Sequence, residues 1–251
     1  MKDIPLSHRI IVALDVPDAG KALDLAERIG PRAGFCKIGL ELFLASGFAV
    51  ADRLADMGRK VMLDLKFHDI PETVKRAVAR LGDHDIAFFT AHAAPGVIEA
   101  AARAKGRARL LAVTVLTSHD PAEAARLASP CEKGGSGYGE DWVADLVLSR
   151  TREALSRGAD GVVCSGREAA LLRHDLGDDF LIVTPGIRPA GSAPDDQRRA
   201  VSAAEAIRAG ADHLVVGRPI TRAADPAAAT EALLAEVAKA LADVPGSPGT
   251  G

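Results

Sequence analysis

Short apolar, β-branched runs alternate along the chain with longer Ala- and Leu-rich stretches whose apolar positions recur at helical spacing. RIIVALDV (9–16) predicts a first strand, followed by an amphipathic helix from Asp18 to about Ile29. FCKIG (35–39) predicts the second strand, with a helix near 47–57, and KVMLDLK (60–66) the third, with a helix from Pro71 to about Leu81. DIAFFTAH (85–92) and a helix over 95–105 follow, then RLLAVTVLT (109–117), a polar Gly-rich loop KGGSGYG (133–139) and a helix from about 140 to 157. The last strands are GVVCS (161–165), with a short helix over 166–172, DFLIVTPG (179–186), and HLVVGR (213–218), with a final helix near 226–242. Eight strands, each trailed by helix, give the count of an α/β (β/α)8 TIM barrel. The expectation is a single domain over 1–243, with a frayed tail over 244–251. An open doubly wound sheet would carry a Gly-rich first turn, whereas this one reads LDVPDAG. An internal echo fits repetition: GADGVVCSG (158–166) and GADHLVVGR (210–218) each place Gly-Ala-Asp before a Val-Val strand. The Gly is expected to cap the preceding helix and the Asp to turn the chain into the strand.

The length of 251 residues suits one such barrel. The apolar fraction of 48% with only 4% aromatics suits Val/Ile strands covered by Ala/Leu helices. A net charge of −3 argues against nucleic-acid binding as the main activity, but leaves room for a local basic phosphate pocket. Cys36, Cys131 and Cys164 have no metal-ligand spacing, which argues against a zinc site and fits free thiols in a reducing cytoplasm. The MKDIPLSHRI start has no apolar signal core, and no stretch of 18 apolar residues occurs, so no membrane span is expected.

In barrels of this kind chemistry sits at the C-terminal ends of the strands. Those ends carry Asp15, Lys37, Asp64, Lys66, His92, Thr117, Ser165 and Gly217-Arg218. Ionised groups there must be paired or await a ligand. The alternative is a ring of structural ion pairs, though structure alone needs no such concentration at one end. The densest cluster is LDLKFHDIPETV (63–74). Asp64 and Lys66, two apart on a strand, share a face, and Asp69 lies beyond, before a helix begun by Pro71. A lysine between carboxylates is favoured as the ammonium, which suits a proton donor better than a Schiff-base nucleophile. TPGIRP (184–189), with the polar loop that follows through Gln197, exceeds the usual βα loop and reads as a lid or a surface insertion. VVGRPI (215–220) offers a Gly, an Arg and a helix start after strand 8. With Arg188 after strand 7, it occupies the loops where barrels commonly hold phosphate. His92 reads equally as a site or a packing residue. Ser165 and Cys164 lack a nucleophile elbow, and KGGSGYG lacks the P-loop ending.

With ALDV, LDLKFHDIP, TVLTS, TPGIRP, DDQRR and VVGRPI in order, the chain resembles the bacterial-type orotidine 5′-phosphate decarboxylase family over nearly its whole length. The resemblance implies a cofactor-free, metal-free lyase of pyrimidine biosynthesis that converts orotidine 5′-monophosphate to uridine 5′-monophosphate. It also implies a homodimer with the active site at the interface. Carried over residue by residue, Asp15 would hold ribose hydroxyls, and Lys37 would contact the ribose and the charged network. Asp64, Lys66 and Asp69 would form an alternating charged array, with Asp69, Ile70 and Thr73 reaching in from the partner. Thr117 would meet the pyrimidine. Pro185, Arg188 and Gln197 would close over the ligand, and Gly217 and Arg218 would bind phosphate. The turn Ala93-Ala94-Pro95-Gly96 departs from the more glycine-rich turn of the family, so His92 carries no role beyond support. Two rivals stand beside this reading. One is a sugar-phosphate decarboxylase that uses Mg2+, against which Lys37 stands where an acidic residue would favour metal. The other is a silent nucleotide sensor, against which Asp64, Lys66 and Asp69 are all present.

Overall fold

The computed structural model describes residues 2–128, 139–188 and 201–243. Eight parallel strands close into one barrel in chain order: β1 (Ile10–Ala13), β2 (Phe35–Gly39), β3 (Lys60–Phe67), β4 (Ile86–His92), β5 (Arg109–Val113), β6 (Gly161–Val163), β7 (Leu181–Thr184) and β8 (His213–Val216). β8 returns to β1 with Val216 opposite Val12. This is the (β/α)8 barrel that the strand count predicts.

Strand alternation divides the core in two. Ile11, Phe35, Met62, Phe88, Leu111, Leu181, Val183 and Val215 fill the barrel interior. Their neighbours, such as Ile10, Val12, Ile38, Leu63, Phe89 and Ile182, point outward and pack under the helices. With both faces covered, the strands read as nearly unbroken apolar runs. Helices Ala19–Ile29, Pro71–Ala79, Pro95–Ala104, Glu140–Ser156, Gly166–Leu176 and Pro226–Ala242 lie where the sequence predicts them. Asp18 accepts the Lys21 amide and so starts the first of these.

The helix expected near 47–57 is Ala49–Asp56, and an unforeseen helix, Leu40–Ser46, precedes it, the two parted at Gly47, whose φ is +58°. Pro121–Ala128, Ala203–Arg208 and a single turn, Arg218–Thr221, add to the expected set. β1, β5, β7 and β8 end earlier than predicted, because their final residues leave the ladder to line the barrel mouth, and β6 ends at Val163 rather than at Ser165, which caps the next helix.

The Gly-Ala-Asp echo is structural. Gly158 and Gly210 have φ of +96° and +99°, a region only glycine enters without strain. Asp160, before β6, accepts the Leu110 amide of β5 at 2.7 Å, and Asp212, before β8, accepts the Ile182 amide of β7 at 2.9 Å. Each carboxylate ties the entry of its own strand to the preceding one. No helix among the described residues is long and apolar enough to cross a membrane.

Candidate active site

The strand ends converge on a cavity of about 620 Å³. Its floor is the upper layer of the barrel interior: Ala13, Met62, Val113, Val163 and Val215. Around the rim stand Asp15, Lys37, Asp64 and Lys66 on one side, Thr117 after β5, and Pro185, Arg188, Gly217 and Arg218 after β7 and β8.

The charged side is a chain of alternating sign. Asp15 Oδ1 lies 2.9 Å from Lys37 Nζ, which is 3.7 Å from Asp64 Oδ2, and Asp64 Oδ1 accepts from Lys66 Nζ at 2.9 Å. Lys37 and Asp64 are largely buried, with side chains 9% and 14% exposed, whereas Lys66 at 32% opens into the cavity. Burial, the largest single influence, pushes the Asp64 carboxyl up, but the Lys37 and Lys66 ammonium groups and the hydrogen bonds from Lys66 and Thr90 together hold it below the usual carboxylate range. It is therefore an anion at neutral pH. Gly39 makes room for the array: a Cβ there would sit 3.2 Å from both Asp15 Oδ1 and Lys37 Nζ.

Lys66 holds a backbone φ of +51°, alone among the described non-glycine residues in being left-handed. The β3–β4 register slips between Leu63 and Phe67, so the segment carrying Asp64 and Lys66 bulges from the ladder. Such conformations cost about 1–3 kcal/mol and persist where the surroundings impose them. Here Thr90, fully buried on β4, accepts the Lys66 amide and donates to Asp64 Oδ1, each at 2.9 Å.

Across the mouth, Arg188 and Arg218 supply the cationic corner expected for a phosphate, joined by Arg222 and Thr221. Arg222 was not foreseen. It follows Arg218 by one helical turn, and that spacing is the signal that could have found it. Thr90 was missed because a hydroxyl inside FFTAH reads as packing.

Asp69, Ile70 and Thr73 do not line the cavity of their own chain. Asp69 is exposed and accepts its neighbouring Ile70 amide at 2.6 Å, and Ile70 is 67% exposed. His92 is half-buried with its ring 5.1 Å from that of His68. Burial, then the neighbouring His68, Lys66 and Arg150, keep its imidazole below its ordinary pKa. It lies outside the cavity lining. Ser165 caps the helix that follows it, accepting the Arg167 amide. The Cys36 thiol is pushed up to about 12 by burial and is no nucleophile. Gln197, the remainder of the 189–200 loop, Cys131 and residues 133–138 of the Gly-rich loop lie outside the described residues, as does the 244–251 tail. Among the described residues no group of three His, Cys, Asp or Glu side chains gathers at metal-binding distance.

The chain as a whole is similar to known proteins. Residues 8–233 match the family model described as orotidine 5′-phosphate decarboxylase / HUMPS family. An orotidine 5′-phosphate decarboxylase of Methylobacterium sp. (strain 4-46) is 53% identical over 240 residues, covering 92% of this chain and 96% of that one. Its counterpart in Rhodopseudomonas palustris (strain BisB5) is 49% identical over 234 residues, covering 92% and 95%. The crystal structure of orotidine 5′-phosphate decarboxylase from Lactobacillus acidophilus superposes with a TM-score of 0.76 at 37% identity, covering 92% of this chain and 99% of that one. A match of this extent, carried by a closed barrel with its charges gathered at one mouth, places the chain in the orotidine 5′-phosphate decarboxylase / HUMPS family.

Proposed function

We propose that the chain removes CO2 from C6 of orotidine 5′-monophosphate, giving uridine 5′-monophosphate in pyrimidine biosynthesis, with no cofactor or metal. The observation that carries this reading is the Asp15–Lys37–Asp64–Lys66 array facing an arginine-lined corner across one cavity. The relatives' names give the substrate.

The C6–carboxylate bond breaks with its electron pair left on C6, in the plane of the ring and without a conjugated sink. The protein must stabilise that pair by charge and then supply a proton. Lys66 does both: its ammonium faces the developing carbanion and transfers an N–H proton to C6, and solvent later restores the proton. Asp64 stands beside the departing carboxylate. Like charges ~4 Å apart repel by about 1 kcal/mol in water and ~4 kcal/mol at an effective dielectric near 20. Enzymes lower barriers by ~8–23 kcal/mol, so repulsion is the smaller contribution and stabilisation by Lys66 the larger. Asp15 and Lys37 hold the ribose hydroxyls, and Thr117 meets the pyrimidine. Gly217 and Arg218 bind the phosphate, while Pro185, Arg188 and Gln197 close over the ligand. Binding energy from the remote phosphate helps to hold the ring against the array.

Asp69, Ile70 and Thr73 act on the site of a second copy. Their absence from their own cavity supports this, as does the exposure of Leu40 and Leu44, at 55% and 82%, on the neighbouring β2–β3 connection. Conversion occurs in the cytoplasm. The Mg2+-dependent sugar-phosphate alternative is disfavoured because the Lys37 ammonium occupies the space between Asp15 and Asp64 that a cation would need.

The test is loss of orotidylate absorbance on adding purified protein with a chelator present. Sustained turnover is expected. Activity that the chelator abolishes, or tight nucleotide binding without CO2 release, would overturn the proposal.

A further inference from the structure

Thr90 sits on β4 two residues before His92, fully buried and behind the cavity lining. The ladder beside it is broken. Leu63 pairs with Phe89, and the next pair is Phe67 with Ala91, so β3 gains two residues on β4 across this gap. Within it, the Lys66 amide donates to the Thr90 hydroxyl at 2.9 Å. That hydroxyl in turn donates to Asp64 Oδ1 at 2.9 Å, the same oxygen that accepts from Lys66 Nζ. A hydroxyl has one proton to give and lone pairs to receive, and here it uses both on the two residues of one ion pair. It grips the backbone of Lys66 at the left-handed residue and the carboxylate of Asp64.

We infer that Thr90 is a positioning residue for the decarboxylation. Its hydroxyl fixes the angle at which the Asp64 carboxylate and the Lys66 ammonium face the substrate, without touching the substrate itself. Displacements near 1 Å in such groups cost ~10²-fold in rate, and the bulge leaves this segment no ladder to hold it. The inference rests on the decarboxylase reading above.

Thr90→Val keeps the side-chain shape and removes the hydroxyl, whereas Thr90→Ser keeps the hydroxyl. Both are compared with wild type in steady-state decarboxylation of orotidine 5′-monophosphate across pH. Thr90→Val is expected to lower kcat at least about tenfold, as loss of a hydrogen bond to a charged group does. KM should change less than about threefold, and Thr90→Ser should stay within about threefold of wild type in both. The acid limb of the kcat profile should move to higher pH in Thr90→Val, because the carboxylate loses a donor that favours its charged form. A merely structural threonine would lower Tm and leave that limb in place. Should the valine variant fail to fold, Thr90→Cys against Thr90→Ser repeats the comparison, since a thiol is a weak donor of similar size. Unchanged kcat and an unmoved acid limb in the folded variant lacking the hydroxyl overturn the inference alone. A wild-type protein that does not decarboxylate overturns the underlying reading with it.

Discussion

Lys66 is held in a conformation that lysine has no reason to prefer. Its φ of +51° brings Cβ against the following carbonyl, a clash that glycine escapes. Two substitutions separate its chemistry from its backbone. Lys66→Ala and Lys66→Gly both remove the ammonium, and both should reduce turnover to near nothing while uridine 5′-monophosphate still binds measurably. In most strands glycine is the less stable of the two. Here the order should reverse, with Lys66→Gly more stable than Lys66→Ala by about 1 kcal/mol in urea unfolding. Alanine proving the more stable would mean that the backbone relaxes without strain. Near-normal turnover in either variant would remove Lys66 from its proposed role. At this scale the sequence was informative for charge and silent on geometry. Asp15, Lys37, Asp64 and Lys66 stood out as ionised groups at the ends of apolar strands, and they do meet in one cavity. The left-handed turn and its Thr90 support were not legible. Lysine gives no local signal for positive φ, and the parity that puts Thr90 beside Asp64 is shifted by a bulge.

The strands were legible because both faces are covered, which leaves a continuous apolar signature. Helix Leu40–Ser46 was not, because the chain leaves β2 at Gly39 straight into the helix with no polar punctuation between them. Pro121–Ala128 and Ala203–Arg208 are short amphipathic segments inside long connections, where a brief period is hard to tell from a loop. The two Asp residues of the repeated motif were expected only as turn formers. They are also strand-to-strand ties, a role that needs the barrel order to be seen. One consequence at the far end of the barrel concerns pH. His213 opens β8, buried edge-on against the Phe35 and Phe88 rings, with Nδ1 bonded to the His8 carbonyl at 2.8 Å. Burial lowers its pKa to about 4 from 6.5. Between those values the unfolded chain binds a proton that the native protein does not, so stability falls as pH drops from about 6.5 towards about 4. A shift of this size is worth roughly 3 kcal/mol in all. Urea unfolding at pH 7.5 and 4.5 should show a drop in wild type larger than that in His213→Asn by about 2–3 kcal/mol. Equal drops would show that His213 is protonated, or accessible, in the native state.

For the whole molecule, barrel closure puts every strand end at one mouth, so residues from 15 to 222 of the chain share a single cavity. Sequence order alone gives no such proximity, but eight strand-helix units imply it. The charged segment 64–73 divides at that scale. Asp64 and Lys66 point into the cavity, while Asp69 and Ile70 stand on the outer surface. The proposed exchange of Asp69 between two copies predicts complementation. Lys66→Ala and Asp69→Asn proteins, each inactive alone, should regain activity after they are mixed and allowed to exchange subunits. Hybrids then carry one site with both native residues, about a quarter of all sites at equal mixing in a two-fold dimer. No recovery despite hybrid formation would place Asp69 in its own chain's chemistry or in none. Asp69's outward position also bears on how the catalyst behaves when scarce. Under that proposed exchange, dilution that parts the two copies should lower the rate per molecule, and a second polypeptide becomes as necessary as a substrate.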